Sequence, residues 1–506
     1  MREESAWAAA SIEHSALQEV YRWLWPDRYA EMVAGDDMQG NARGRTNHIF
    51  DHTAMEALHD GAGQVAEAIH PWDQPWARWI ARAGVSPERR EQLTEAANVL
   101  TELGLSTLAR SNFHTEATAS HKDFLVGNGH LLMELDARDE RRIVCSSLPS
   151  YRMAPECDAA GRWTGFFRRY RPRARDLDSM FPEKITWSPE TQKAQREKPE
   201  TRIDLCYGWT YDHKTGGWRS YGWEREAKHL FRESFHRSSP IIGYRSVRTG
   251  GRAWACGPAS AIVPTVKVAN RLVEFILRNA AVATIGMWQA DDDGVLNPGT
   301  IKLAPGCIIP KARGSDGLTP LEAPGRFDVS QLVLDDLRVM IRKSLYVTRI
   351  AEREMTAQEY QGRLQQQLRD MRGMYGQMRT EFVVPVQMRV LDLNVEMGQL
   401  TEEQFSDLLD VEMTGPLAQD ARAAEVQRVA EAKMMIDGMV GPELGMASLN
   451  AHEMVPWVVQ QLHIKSELFK SSAELKEFGD QVMQLAAQAI AAQMAGQGEE
   501  APDGGQ

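Results

Sequence analysis

Apolar residues recur at helical spacing through most of the first hundred positions. "SIEHSALQEVYRWLW" runs to Pro26, and "DHTAMEALHDGAGQVAEAIH" stops before Pro71. "SPERREQLTEAANVLTELGL" opens with a serine N-cap and Pro87 at the first helical position. From about Leu131 the period shortens to two. "HLLMELD", "RRIVCSSL", "TGFFRRYR", "RIDLCYGWTYD" and "GWRSYGW" read as short strands between turn signals such as "DAAGR" and "HKTGG". This segment ends near "SSPIIGYR", and the expected class is α+β, mainly α.

Helical spacing returns over residues 259–286. Val266, Ala269, Val273, Ile276 and Ala280 recur three and four apart, and Lys267, Arg271, Glu274 and Arg278 form a charged stripe across from them. A Gly- and Pro-punctuated, β-like insert fills 287–329, and a second amphipathic helix is predicted over 330–347. After a short link, 348–354, a longer helix is predicted over 355–400. Thr356 and Glu359 there have the T-x-x-E spacing of a capping box. Leu364, Leu368, Met371, Tyr375, Met378 and Phe382 keep a four-three rhythm, and Pro385 predicts a kink. Residues 401–490 read as helical with breaks at "TGP" and "GMVGPELG", and 491–506 as a disordered tail.

Composition changes this picture little. The chain has 506 residues, 43% apolar and 25% charged, enough for roughly two to four domains around sizeable cores. Cys145, Cys157, Cys206, Cys256 and Cys307 are scattered with no C-x-x-C pair, which suits a reducing compartment. The N-terminus lacks the basic-then-apolar order of a signal peptide, and "AAVATIGMW" is too short to span a bilayer, so a soluble protein with no membrane partner is expected. The formal net charge of −12 excludes a general nucleic-acid clamp.

Candidate chemistry is sparse. Asp291, Asp292, Asp293 and Gly294 suggest a cation loop. An EF-hand needs acids where Gln289 and Thr300 stand, so a solvated turn is the simpler reading. His48 and His52 are four apart, with His59 beyond, but no H-E-x-x-H surrounds them. They are expected at a surface or interface, as are His114 and His121. No phosphate loop, nucleophile elbow or dinucleotide fingerprint is present, and no catalytic residue, metal or cofactor is expected. The basic patch "RRYRPRAR" (Arg168, Arg169, Arg171, Arg173, Arg175) suits either nucleic acid or an acidic neighbouring chain, and the second reading is the simpler.

Several phrases in order then resemble the head-to-tail connector (portal) proteins of short-tailed bacteriophages, the podovirus type. These are "IFDHTAMEALHDGAGQVAEAIHPWDQPWARW", "SNFHTEATASHKDFLVGNGHLLMEL", "ADDDGVLNPGTIKLAPG", "MTAQEYQGR" with the later "RTEFVVPVQMR", and "TGPLAQDARAAE". The loop "GGRAWACGP" departs from that family's Y-G-R-G-P form. The resemblance implies a ring, usually a dodecamer, at one capsid vertex of the virion, assembled in the bacterial cytoplasm. Double-stranded DNA passes through it during packaging and ejection. Its implied partners are the terminase large subunit, tail and adaptor proteins, and the major capsid and scaffolding proteins. By resemblance, residues 1–258 are the wing, 259–286 and 330–347 the stem, 287–329 the clip and 348–354 the channel-facing tunnel loop. The helix over 355–400 leads to a crown over 401–490. Asp291, Asp292, Asp293 and Gly294 then belong to the clip surface that meets terminase or adaptor. Arg349, Glu352 and Arg353, with Lys267, Arg271 and Arg278, become candidates for facing DNA. Thr356 and Glu359 cap the helix beside the tunnel loop.

A stem of that length would run roughly 40 Å and face on the order of 25 phosphates. A lining that neutralised many of them would stall transport, so few basic rings are expected. Two readings compete: a metal-dependent phage nuclease or hydrolase built on Asp291, Asp292, Asp293 and the histidines, and a non-ring scaffold of the virion interior.

Overall fold

The computed structural model describes residues 2–34, 46–82, 84–136, 139–180, 185–285, 287–290, 318–321, 327–347, 357–401, 408–440 and 454. Its N-terminal part comprises α1 (Arg2–Leu24), α2 (Pro26–Ala34), α3 (Thr53–Ile69), β1 (Ala77–Ala81), α4 (Pro87–Ala109) and α5 (Phe113–Val126). Pro87 stands in the first turn of α4, where its missing N–H costs nothing. Ser86 takes the extended N-cap conformation but makes no side-chain cap bond.

After α5, β2 (Asn128–Asp136) and β3 (Asp139–Ser147) form a hairpin. A meander follows: β4 (Met153–Cys157), β5 (Trp163–Tyr170), then α6 (Leu177–Met180) and α7 (Pro189–Glu197), then β6 (Leu205–Asp212), β7 (Gly217–Glu224) and β8 (His229–His236). β9 (Ile241–Arg245) returns to the free side of β2, giving a sheet of order β3-β2-β9 beside one of order β4-β5-β6-β7-β8. Both sheets are antiparallel. Leu148, Met153, Phe166, Trp209 and Ile241 form a small core of their own. Burying a side chain such as Phe166 is worth about 2–3 kcal/mol.

The rest of the chain gives α8 (Pro258–Ala261), α9 (Val263–Ile285), β10 (Met287–Ala290), β11 (Leu318–Leu321), α10 (Phe327–Ser344), α11 (Ala357–Met371), α12 (Tyr375–Met378), α13 (Val384–Glu396), β12 (Leu409–Met413) and α14 (Pro416–Val440). The helix predicted over 259–286 is thus two helices. They break at Ile262 because Pro264 has no N–H to donate back to Ser260. The predicted kink at Pro385 also takes another form. Pro385 lies in the first turn of α13, and the irregularity precedes it as a 3₁₀ turn (Arg372–Met374) and a π turn (Arg379–Val383). The Val384 N–H donates to the Arg379 carbonyl five residues back, which makes room for a residue that cannot join the ladder.

Two short strands were absent from the sequence reading. β1 and β12 pair antiparallel from Ala77↔Met413 to Ala81↔Leu409. In "LDVEM", read as part of a helical region, Leu409, Val411 and Met413 point into the core and Asp410 and Glu412 do not. The largest core joins α1, α3, α4 and α5 to β2, β9, α9, α10, α13 and α14. The tail over 491–506 lies outside the described residues.

Candidate functional site

β10 and β11 pair antiparallel, Met287↔Leu321 to Ala290↔Leu318, so the end of α9 and the start of α10 are brought together. The two helices therefore run out and back against each other. At their base both meet the loop before α3. Asn270 of α9, buried, accepts at Oδ1 from the Phe50 N–H (2.6 Å) and the Asp51 N–H (3.2 Å), and its amide donates to the His48 carbonyl (2.9 Å). Arg338 of α10 donates from Nε to Asp51 Oδ2 at 2.9 Å, while Asp51 Oδ1 accepts from the Thr53 N–H at 2.8 Å. Burial works to raise the Asp51 carboxyl. The hydrogen bonds from Thr53 and Arg338 overcome it and hold the group below the ordinary carboxylate range. The D-x-T-A phrase at Asp51–Ala54 is thus an anchor for both helices.

A second contact tightens the same base. A Cβ on Gly61 of α3 would lie 2.3 Å from the Leu345 carbonyl oxygen, so only glycine allows the two backbones this close. Just beyond, the Val347 N–H donates to the Arg342 carbonyl at 2.9 Å in a Schellman turn. Tyr346 holds the left-handed position there, at φ 63°, where glycine is usual. The candidates Arg349, Glu352, Arg353 and Thr356 come after this turn and lie outside the described residues. So do Asp291, Asp292, Asp293 and Gly294. The helix bearing Glu359 begins at Ala357, and nothing is described of the Glu359 side chain.

The charged stripe of α9 is largely neutralised within the chain. Lys267 pairs with Glu19 of α1, and Glu274 receives Arg271 (3.0 Å) and Arg278 (2.5 Å). Three cations meet two carboxylates, so the stripe keeps a net charge of only about +1. On α10, Leu332, Val333, Val339 and Met340 are exposed, and their seven-residue spacing puts them on one face, around the exposed Asp336.

The basic patch is spread out and occupied. Arg169 pairs with Glu3 and lies over the Trp7 ring, and Arg171 pairs with Asp204. Arg173 (3.1 Å) and Arg175 (2.5 Å) share Glu200, and Arg168 lies over the Tyr170 ring. The paired acids belong to the same chain, where the sequence pointed to a neighbouring one.

The histidines are also redistributed. His121 is fully buried, contrary to the surface or interface place expected of it, and His114 is half-buried. His70 Nε2 meets His121 Nε2 at 2.8 Å, and His70 Nδ1 lies 3.4 Å from His114 Nδ1. His121 Nδ1 meets the Tyr244 hydroxyl at 2.9 Å, and that hydroxyl donates to Ser120 (2.8 Å). The proton order follows from the far end: His121 donates to Tyr244, so it accepts from His70, which in turn accepts from His114. Burial lowers His70 well below 6.5 and His121 to about 3. Among the described residues, no group of three or more His, Cys, Asp or Glu side chains is placed to hold a metal ion.

Sequence reading also missed the buried pair Arg245–Glu381. Arg245 Nε donates to Glu381 Oε1 at 3.1 Å, its Nη1 to the Arg252 carbonyl (2.8 Å) and its Nη2 to the Gly161 carbonyl (2.7 Å). The guanidinium also lies 4.2 Å from the Trp163 ring centre. This pair ties the π turn to β9.

The family model for the bacteriophage head to tail connecting protein matches residues 2–469. The chain belongs to that family. Its members are structural rather than catalytic, which fits a role in the virion where phage head meets tail. A chain from the virion of a native gene transfer agent particle is similar at 14% identity with a TM-score of 0.36, over 80% of this chain and 94% of its own. No curated protein matches. Among the described residues no helix is long and apolar enough to cross a membrane.

Proposed function

We propose that this connector acts as a ring of identical subunits, of portal type, with α9 and α10 as the stem around a DNA channel. The observation that carries the reading is the apolar-rich face of α10, Leu332, Val333, Val339 and Met340 around Asp336, left exposed on a helix anchored at its base by Asp51. Such a face on a single chain calls for a partner, and in a closed ring the partner is the next copy. The largely paired stripe of α9, with about one positive charge left per subunit, suits a passage that DNA crosses without being gripped.

In this reading 287–329 forms the clip that meets terminase or adaptor, and 348–354 the loop at the channel, with Arg349 and Arg353 as basic rings beside Glu352. Residues 1–258 form the wing, and the helices beyond 400 lead to the crown. The ring serves packaging, retention and ejection of the genome, with about twelve copies by analogy with the family. Electron micrographs of the purified protein test it: rings with a central hole are expected, and elongated monomers or dimers would overturn it. Replacing Arg349 and Arg353 by Glu is expected to leave rings intact and impair packaging or DNA retention.

A further inference from the structure

A cleft of about 490 Å³ opens between the last turn of α4, the start of β3 and the turn after α13. Arg110, Arg141 and Arg142 line it, with Gln399 at its edge. We propose that this cleft binds phosphate oxyanions.

Three observations point there. The first is charge left unspent. Every arginine of "RRYRPRAR" meets an acid or an aromatic ring, whereas Arg110, Arg141 and Arg142 make no ion pair among the described residues. The second is magnitude. Two helix C-termini abut the cleft and contribute about one negative charge together. Arg142 answers one of them, donating to the Arg110 carbonyl at 3.2 Å. Asp139 adds a carboxylate, whose Oδ1 accepts from the Arg141 N–H at 3.1 Å. Three guanidinium groups line the cleft, in a chain of net charge −12.

The third is donor chemistry. The Ser106 and Thr107 hydroxyls on the wall donate to the Leu103 carbonyl (2.9 and 2.8 Å), so the free donors are the guanidinium forks. Gly398, at φ 70°, closes α13 with the Gln399 N–H on the Asn394 carbonyl (2.9 Å), which places Gln399 at the cleft. Planar forks with several N–H groups match phosphate oxygens better than a single carboxylate does. The volume has room for a diphosphate or a short phosphodiester run.

This inference does not depend on the channel reading, because the cleft lies on α4 and β3, away from α9 and α10. The full-length protein is titrated with inorganic pyrophosphate by calorimetry and with a short fluorescent DNA duplex by anisotropy over a salt series. The double variant Arg110→Glu with Arg141→Glu is compared with wild type, and Arg175→Glu serves as a control. Arg142 is kept because it closes α4, and the milder Arg110→Gln with Arg141→Gln guards against unfolding of the hairpin.

Binding weakened tenfold or more in the double variants and unchanged in the control is expected. For the duplex, the slope of log affinity on log salt should flatten by about two. Pyrophosphate binding without duplex binding assigns the site to free phosphates, and the converse assigns it to nucleic acid. Wild-type protein that binds neither probe overturns the proposal, as does equal binding by the double variants. Loss of self-association with phosphate binding intact also overturns it and gives the cleft to acidic side chains of a second copy.

Discussion

Arg338 and Asp51 meet 287 positions apart in the chain, Nε to Oδ2 at 2.9 Å, and so join the returning helix α10 to the loop that opens α3. Asn270 makes the matching contact from α9. One short loop therefore sets the height and rotation of both helices relative to the N-terminal core.

Asp51→Asn should lower stability by about 1–3 kcal/mol at neutral pH, because a charge-assisted bond is lost while Arg338 stays in place. The folded carboxyl lies below its unfolded value. Its contribution is therefore full above the unfolded pKa and fades as pH falls through the folded one. Urea unfolding at neutral pH and below about pH 4 should show the gap between variant and wild type closing in acid.

Arg245→Met should cost about 3–5 kcal/mol, since Glu381, 7% exposed, would be left buried without its partner. Combining it with Glu381→Leu should recover much of that loss. A double-mutant cycle by chemical denaturation checks this, and additive costs would contradict it.

The buried histidines make an acid-sensitive core. With His121 lowered to about 3 against an ordinary 6.5, the unfolded chain takes up protons across that interval and the folded chain does not. Stability should be full above about pH 6.5 and fall with acidification, by about 1.4 kcal/mol per pH unit for such a histidine. His121→Gln should flatten the slope between pH 6.5 and 3, measured by thermal unfolding across that range.

Gly61→Ala should separate α3 from α10, because the new Cβ would meet the Leu345 carbonyl at 2.3 Å. A loss of about 1–3 kcal/mol is expected, together with faster hydrogen exchange along α10. Exchange unchanged from wild type would contradict the close contact.

Val339→Asp tests the apolar face from the other direction. Val339 is 61% exposed, so the isolated subunit should change by no more than about 0.5 kcal/mol. Rings in micrographs should nonetheless be lost or weakened.

Much of the fold was legible because its signals are local. The alternation in "HLLMELD" and "GWRSYGW" and the three-four spacing of Val266, Ala269 and Val273 depend only on near neighbours, and these segments form β2, β7 and α9. β1 and β12 were hidden because each has five residues and a partner far away in sequence. The fate of His121 and of the arginines in "RRYRPRAR" was equally illegible. Burial and pairing there depend on Tyr244, Glu3 and Glu200, which no spacing rule connects to them. Asn270 left a faint trace, a polar residue beside Ala269 on the apolar stripe, whose meaning needed the loop at His48.

The pairing of β1 with β12 bears on how the protein is made. Arg78 and Glu412 across that ladder are 334 positions apart, so a ribosome releases β1 long before its partner exists. Until then β1 is an open edge, which invites wrong pairing. A polypeptide that stops short of Leu409 never closes that edge. Such a chain also leaves the main core without Leu409, Val411 and Met413.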